Sequence, residues 1–233
     1  MESYLPSGDG TLNSFGVLIS GAHTYDTAVK FSGSGSLRFN YPIACQGPIA
    51  STPCGGWTDR LFPSGPEHYG RLYLRVSSDF QWGAANGSTK IIGLRGPGTS
   101  RFWPSFYFGL NMIVSAENTP TDGQTTNIPI NTTMPREIWT CFEWHYIANT
   151  PGVANGTLQT WKDGVLTTNR SDVQWRGPTN TSHLNYVRLY RQSGFGSLWF
   201  DRIGVGDTRI GCIGAPPVVD TTPPTAPSSL VAQ

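Results

Sequence analysis

W-T-C-F-E-W-H-Y-I-A-N-T-P-G-V-A-N-G-T-L-Q-T-W-K-D-G, residues 139–164, is the stretch that decides the fold of this chain. Its two ends follow the period-two pattern that is typical of extended strands. Between them, N-T-P-G at 149–152 and N-G at 155–156 are residues that favour tight turns, and K-D-G at 162–164 ends the second strand with another turn. The stretch therefore predicts a pair of antiparallel strands.

The first of these strands carries an unusual polar pair. Alternation places Phe142, Trp144 and Tyr146 on one face, and Glu143 and His145 on the other. A carboxylate and an imidazole thus project together from a sheet whose opposite face is aromatic. They form either a structural hydrogen-bonded pair with a nearby arginine or part of a functional site, and the sequence leaves both readings open.

The composition of the whole chain agrees with an all-β fold. Its 233 residues include 28 Gly and 18 Pro, and only 13% are charged, which is the profile of short strands joined by many turns. The formal net charge of +1 provides no field that would attract nucleic acid. No apolar run is long enough to span a membrane. We therefore expect neither nucleic acid nor a membrane as a partner.

Alternation elsewhere predicts eight strands in one domain. They span residues 36–41, 71–77, 89–94, 105–115, 138–148, 157–162, 185–191 and 197–205. After Cys212 the composition becomes rich in proline, which suits an extended linker and excludes a central strand. The chain therefore divides into a domain, residues 1–213, and a Pro/Thr-rich segment, residues 214–233.

The four cysteines predict two disulfides. Cys45 and Cys54 bracket a loop of Gly, Pro, Ser and Thr that packing would not hold, and Cys141 lies in a strand while Cys212 follows the last one. We predict the pairs Cys45–Cys54 and Cys141–Cys212; the alternative is four free thiols in a cytosolic protein. Five N-x-S/T sequons agree with a secreted, extracellular protein, at Asn86, Asn131, Asn155, Asn169 and Asn180.

Two further strands place polar residues in rows. In residues 71–77 the leucines and valine must face the core, which leaves an outer row of Arg71, Tyr73 and Arg75. In residues 185–192 the same test gives an outer row of Tyr186, Arg188, Tyr190 and Gln192. If these strands neighbour the strand of Glu143 and His145, and that of Lys90, the rows form one polar groove. The alternative is that they are solvated cross-strand pairs.

Three segments together resemble concanavalin A-like jelly rolls, and especially the polysaccharide lyases of that fold, such as the alginate and glucuronan lyases. T-K-I-I-G-L-R-G-P-G at 89–98, after Y-L-R-V-S-S-D-F-Q-W at 73–82, resembles their G-K-L-P-G-L loop, with Ile92 in place of the proline. Residues 139–164 resemble their strand pair around an N-T-P-G turn, and L-W-F-D-R-I-G-V-G at 198–206 resembles their closing strand. The resemblance implies a jelly-roll sandwich of two antiparallel sheets, one curved, with a glycan on its concave face.

Cleavage of a uronate polymer by β-elimination needs three groups: one that neutralises the C6 carboxylate, a base for the C5 proton and an acid for the departing O4. Arginine pairs with a carboxylate through two hydrogen bonds, so we assign Arg75 and Arg188 to the first role. His145 is the expected neutraliser or base, and Tyr190 or Tyr73 is the expected acid and a second candidate for the base. The groups expected to bind substrate are Arg71, Lys90, Glu143, Tyr186 and Gln192.

Two functions from different classes fit these observations. One is a secreted lyase acting on an anionic polysaccharide, and the other is a noncatalytic carbohydrate-binding module of a larger protein. A retaining glycosidase is disfavoured because the chain has no E-x-D-x-x-E string.

Two smaller expectations come from likeness to known domains. Jelly rolls of this kind often hold a structural calcium at an Asp of the closing strand, here Asp201 with Glu2 and Asp9; the alternative is that Asp201 is a turn or salt-bridge residue. P-P-T-A-P-S-S-L-V-A at 223–232 resembles the opening strand of a fibronectin type III module. We therefore expect a monomer within a longer, multi-domain chain.

Overall fold

A computed structural model describes residues 23–42, 45, 56–83, 87–96, 104–110, 112–116 and 126–213 of the chain. These residues form fourteen strands, which pair into two antiparallel sheets. The predicted all-β jelly-roll sandwich is therefore confirmed. No helix in this part of the chain has the length and hydropathy that crossing a membrane would require.

The strands are numbered in chain order. They are β1 (His23–Asp26), β2 (Ser36–Tyr41), β3 (Gly56–Gly65), β4 (Glu67–Val76), β5 (Gln81–Trp82), β6 (Ser88–Arg95), β7 (Pro104–Gly109), β8 (Met112–Ala116), β9 (Ile128–Ile130), β10 (Thr140–Ile147), β11 (Gly156–Lys162), β12 (Val165–Val173), β13 (Leu184–Arg191) and β14 (Gly194–Gly206). The eight-stranded sheet has the order β1-β2-β14-β4-β10-β11-β12, with β5 paired to β14. The six-stranded sheet has the order β3-β13-β6-β7-β8-β9.

The core lies between the two sheets and is strongly aromatic. Phe142 on β10 meets Phe106 and Phe108 on β7, with ring centroids 5.7 and 4.8 Å apart. Trp144 is fully buried above Gly70, where an added Cβ would lie 1.9 Å from the indole. Only glycine fits there, because the ring occupies the space of any side chain. The aromatic face predicted for residues 138–148 is thus the face that joins the sheets.

The predicted strands are mostly confirmed, with one error. Residues 105–115 do not form one strand: β7 ends at Gly109, β8 begins at Met112, and the two pair as a hairpin. The antiparallel register runs from Pro104 opposite Ala116 to Tyr107 opposite Ile113, so the chain turns between the two strands, near Leu110. Apolar alternation continues through this hairpin, and it therefore conceals the turn.

The disulfide Cys141–Cys212 is confirmed, with its Cα atoms 6.0 Å apart. It links β10 to the segment that follows β14 and closes 71 residues of sequence separation. Cys45 is disulfide-bonded as well. Cys54 lies outside the described residues, so its pairing with Cys45 stays a prediction.

Candidate functional site

The predicted site residues lie on two different faces of the sandwich. The outer face of the eight-stranded sheet carries Arg71, Tyr73, Arg75, Glu143 and His145. The outer face of the six-stranded sheet carries Lys90, Tyr186, Arg188 and Tyr190. The prediction of one groove was therefore wrong, because β4 pairs with β10 in one sheet and β6 with β13 in the other. Alternation gives the face of a strand and does not say to which sheet it belongs.

On the eight-stranded sheet, three of the predicted residues, Arg71, Tyr73 and Glu143, bind the segment that follows β14. We call this segment, residues 209–213, the C-terminal strap. The buried carboxylate of Glu143 accepts hydrogen bonds from Arg209 Nη2 and from the Gly211 amide, both at 2.9 Å. Arg71 donates to the Gly211 carbonyl at 2.8 Å, and the Tyr73 hydroxyl accepts from the Ile213 amide. Together with the disulfide, these contacts make this cluster an anchor for the strap.

Replacing Glu143 is expected to destabilise the fold. Glu143→Gln removes the charge that Arg209 and the Gly211 amide share, and hydrogen bonds to a charged group contribute about 2 kcal/mol. We expect a loss of about 2 kcal/mol in the free energy of unfolding, measured by urea denaturation. The matched control is Glu137→Gln, whose carboxylate also binds an arginine, Arg75, and an amide, that of Ser78, but whose side chain is 45% exposed. Solvent screens these contacts, so we expect a loss of less than about 1 kcal/mol. Equal losses in the two variants would contradict this account of the strap.

His145 and Arg75 are also bound to neighbouring side chains. The two ring nitrogens of His145 lie 2.9 Å from Gln159 Oε1 and 2.8 Å from Glu67 Oε1. Its ring stacks on that of Tyr69, with centroids 3.9 Å apart. Arg75 forms its ion pair with Glu137 at 2.6 Å. These contacts favour the structural reading of this face, and they place both residues across the core from Tyr190.

Asp201 on β14 organises the backbone of an adjacent loop. One carboxylate oxygen accepts from the amides of Phe31 and Ser32, at 2.9 and 3.2 Å, and the other accepts from the amide of Arg202 at 2.8 Å. Burial raises the pKa of Asp201, and these amide donors oppose that rise. Glu2 and Asp9 lie outside the described residues. The turn-residue reading of Asp201 thus has direct contacts, and calcium binding stays a prediction.

On the six-stranded sheet, the predicted residues form a ladder in which cations alternate with aromatic rings. Lys90 Nζ lies 5.2 Å from the centroid of the Tyr190 ring and 5.5 Å from that of Tyr107. Arg188 follows, 5.9 Å from Tyr190 and 5.7 Å from Tyr186. At the far end, Arg95 lies 5.6 Å from Tyr186. We call this surface, from Tyr107 to Arg95, the cation–tyrosine ladder.

A β-bulge directs Lys90 onto this surface. The pairing of β6 with β7 shifts between Lys90 and Ile92, and both Ile91 and Ile92 are fully buried in the core. Strict alternation from Gly93 would have directed Lys90 inward. Bulges re-aim side chains in this way and are frequent beside active sites.

A glycine lies beneath the Tyr190 ring. A Cβ added to Gly93 would lie 2.8 Å from the ring and 3.1 Å from the phenol oxygen, so the ring occupies the space above that glycine. Ser105 on β7 pairs with Gly93 and is fully buried. The Tyr190 carbonyl also accepts a hydrogen bond from Tyr41 at 3.0 Å. Gly93 therefore leaves room for the ring, and the bond from Tyr41 holds the backbone of Tyr190.

An acid pairs with the central arginine of the ladder. Asp59 on β3 lies opposite Arg188 in register, and its two carboxylate oxygens accept from Arg188 Nε at 2.5 Å and Nη2 at 2.6 Å. Burial lowers the pKa of Arg188, but the Asp59 contact outweighs burial and raises the pKa above its ordinary value. Arg188 therefore stays charged next to Tyr190.

Four residues at or next to this surface were not predicted from the sequence: Asp59, Arg95, Tyr107 and the buried Ser105. Tyr107 and Ser105 could have been predicted, because they alternate with the apolar residues Phe106 and Phe108 and therefore belong to the outer face. Asp59 belongs to β3, which we had not predicted. Gln192 follows β13, and its buried Oε1 accepts no hydrogen bond within the described part of the chain.

Comparison with known proteins identifies solved structures with the same fold but no matching family. No protein-family profile matches the chain, and no curated protein matches it by sequence. A solved endo-β-1,4-glucuronan lyase from the fungus Trichoderma reesei is 18% identical with a TM-score of 0.65, covering 86% of this chain and 94% of its own. The alginate lyase vAL-1 from Chlorella virus is 10% identical with a TM-score of 0.59, covering 84% and 94%.

A third solved structure with this architecture is the cellulose-induced protein Cip1, which is 20% identical with a TM-score of 0.55, covering 82% of this chain and 87% of its own. At these identities the likeness concerns the fold alone. The β-sandwich of this chain is therefore the one found in structurally similar polysaccharide lyases.

Proposed function

We propose that the protein is a polysaccharide lyase that cleaves a uronate-containing glycan by β-elimination on the cation–tyrosine ladder. The observation that carries the proposal is the position of Tyr190 between two cations, Lys90 at 5.2 Å and Arg188 at 5.9 Å from its ring centroid. Nearby positive charge favours the phenolate, which is the form of tyrosine that can accept a proton. The lyase fold of the structural neighbours agrees with this chemistry.

The ladder offers a group for each step of the elimination. Lys90 would neutralise the C6 carboxylate and so make the C5 proton more acidic. Tyr190 would take that proton as a phenolate, and the resulting phenol would return a proton to the departing O4. Arg188 would stabilise the phenolate through its charge. This assignment moves the carboxylate-binding role to Lys90, because Asp59 already holds one edge of the Arg188 guanidinium.

The wider context of the proposal is an extracellular glycan. A disulfide within the described domain agrees with secretion, since such bonds persist in oxidising compartments. An anionic polysaccharide is the partner that the cations of the ladder would bind. Tyr69 and Gln159 lie on the opposite outer face, so neither has a role in this mechanism.

A methyl group beneath Tyr190 is expected to impair turnover. Gly93→Ala would place a Cβ within 2.8 Å of the Tyr190 ring and push it from its position. Because a small misplacement of a reacting group lowers the rate strongly, we expect kcat to fall about 10- to 100-fold. Thermal denaturation is the control, and we expect little change because the ring can move outward. Unchanged kcat in a folded variant would contradict the role of this tyrosine.

The proposal is tested by incubating the protein with alginate, glucuronan, pectate and glycosaminoglycans while the ultraviolet absorbance of unsaturated uronate is recorded. A rise on one polymer would identify the substrate. Flat traces on every polymer, with retardation of one of them in affinity electrophoresis, would instead establish the noncatalytic binding module.

A further inference from the structure

The row of side chains that contains Lys90 continues past the end of the cation–tyrosine ladder. Lys90 lies opposite Tyr107 in register. Tyr107 lies opposite Ile113, which in turn lies opposite Pro129. Residues directly opposite one another belong to the same face of a sheet, and neighbouring strands are about 4.8 Å apart. The row therefore leads across the outer face from a cation to a phenol ring and then to two apolar side chains.

The apolar end of this row borders a groove of about 550 Å³. Ile113 and Pro129 form part of its wall, together with Leu110 from the turn between β7 and β8 and with Thr132 and Thr133 after β9. Pockets that hold small ligands have volumes of roughly 300–1,000 Å³. The groove thus has room for a substituted sugar.

The groove lies at the same end of β6 as Lys90. The amide of Leu110 donates to the carbonyl of Gly87 at 3.1 Å, and Gly87 directly precedes β6, on which Lys90 is the third residue. A glycan bound at Lys90 that extends toward β8 and β9 would therefore place its next sugar in this groove.

The groove differs from the ladder in its chemistry. None of the described residues that line it carries a charge, and the side chain of Leu110 is 74% exposed. A carboxylate placed there would lose hydration without gaining a cation as partner, which is unfavourable. A methyl group would instead be removed from water against apolar side chains, which is favourable. The cations of the ladder, Lys90, Arg188 and Arg95, lie on the β6 and β13 side of Tyr107.

We propose that this groove is a specificity subsite for the sugar next to the uronate held at Lys90, and that it takes an uncharged, apolar group on that sugar, such as a methyl ester or an acetyl ester. The preferred glycan is then a partly esterified uronate polymer rather than its de-esterified form. This inference rests on the proposed function for the position of the uronate. It concerns binding selectivity, which is measured separately from turnover.

The test measures binding to the full chain by calorimetry with two matched pairs of probes. One pair is a partly methyl-esterified galacturonan oligosaccharide and its saponified form, and the other is a partly acetylated glucuronan oligosaccharide and its saponified form. We expect the esterified member of at least one pair to bind about tenfold more tightly, because its methyl group is buried in the groove.

Two variants place a cation in the groove, Ile113→Lys and Leu110→Lys. We expect either change to remove or reverse the preference for the ester, since the apolar contact is lost and a carboxylate gains a partner. Leu110 is largely exposed, so its replacement leaves the core unchanged. The matched control is Val165→Lys, which adds the same charge at an exposed valine on β12 of the other sheet and should keep the native preference.

Three results would overturn the inference: no preference for the ester in either pair, a preference that persists in folded groove variants, or an equal loss in Val165→Lys. Circular dichroism and melting temperature establish the folded state. A preference for the ester without lyase activity on any polymer would reject the catalytic proposal and leave the groove assignment intact. Lyase activity without that preference would reject the groove assignment alone.

Discussion

Tyr190→Phe is expected to abolish turnover on the uronate polymer that the protein cleaves. Removing the hydroxyl takes away the group proposed to move the proton, and a positioned acid or base contributes about 10²- to 10⁴-fold to a rate. We expect kcat to fall by that factor while KM stays within about threefold, because the ring and its contact with Lys90 remain. Initial rates from ultraviolet absorbance measure both constants.

The matched control is Tyr73→Phe, the same chemical change on the other outer face. Tyr73 accepts a hydrogen bond from the Ile213 amide in the C-terminal strap, so its loss affects the strap and leaves the ladder unchanged. We expect full turnover from this variant and from His145→Ala. Loss of turnover in either one, with Tyr190→Phe active, would return the site to the eight-stranded sheet.

Removing the Cys141–Cys212 disulfide is expected to have the largest effect on stability. The cysteines are 71 residues apart in sequence, and closing a loop of that size restricts the unfolded chain by about 4 kcal/mol in the chain-entropy account. For the Cys141→Ala/Cys212→Ala variant we therefore expect the melting temperature to fall by about 10 °C. Differential scanning calorimetry measures this change.

Activity provides the control for that variant. The disulfide lies at β10 and the strap, whereas the ladder lies on β6, β7 and β13. Well below its melting temperature the variant should therefore cleave substrate at the native rate. A melting temperature within about 2 °C of the native value would show that the strap is anchored by the hydrogen bonds of Glu143, Arg71 and Tyr73 and does not need the disulfide.

The fold was largely predictable from local patterns. The aromatic alternation of Phe142, Trp144 and Tyr146 marked β10 correctly, and the turn residues after it marked the start of β11. The strand β12 escaped prediction because much of its side-chain surface is exposed, so that its sequence, V-L-T-T-N-R-S-D-V, has no apolar alternation. The turn at Leu110 escaped because every second residue from Phe106 to Val114 is apolar, as in a single strand.

The site was predictable only in part, for a physical reason. Period-two alternation correctly placed Arg188, Tyr190 and Tyr186 on one outer face, as the structure has them. Alternation did not show that Glu143 and His145 belong to the other sheet, because the alternation within a strand carries no information on which distant strand it pairs with. Lys90 depends on a bulge that reverses the alternation, and such a bulge arises from pairing with β7.

The central claim is that the glycan binds to the cation–tyrosine ladder of the six-stranded sheet. The most direct measurement is a crystal structure of the Tyr190→Phe variant with an oligosaccharide of the polymer that the native protein cleaves or binds. We expect a uronate carboxylate within hydrogen-bonding distance of Lys90 Nζ and the sugar C5 facing the ring at position 190. An oligosaccharide bound at His145 and Tyr69, on the opposite outer face, would contradict the account.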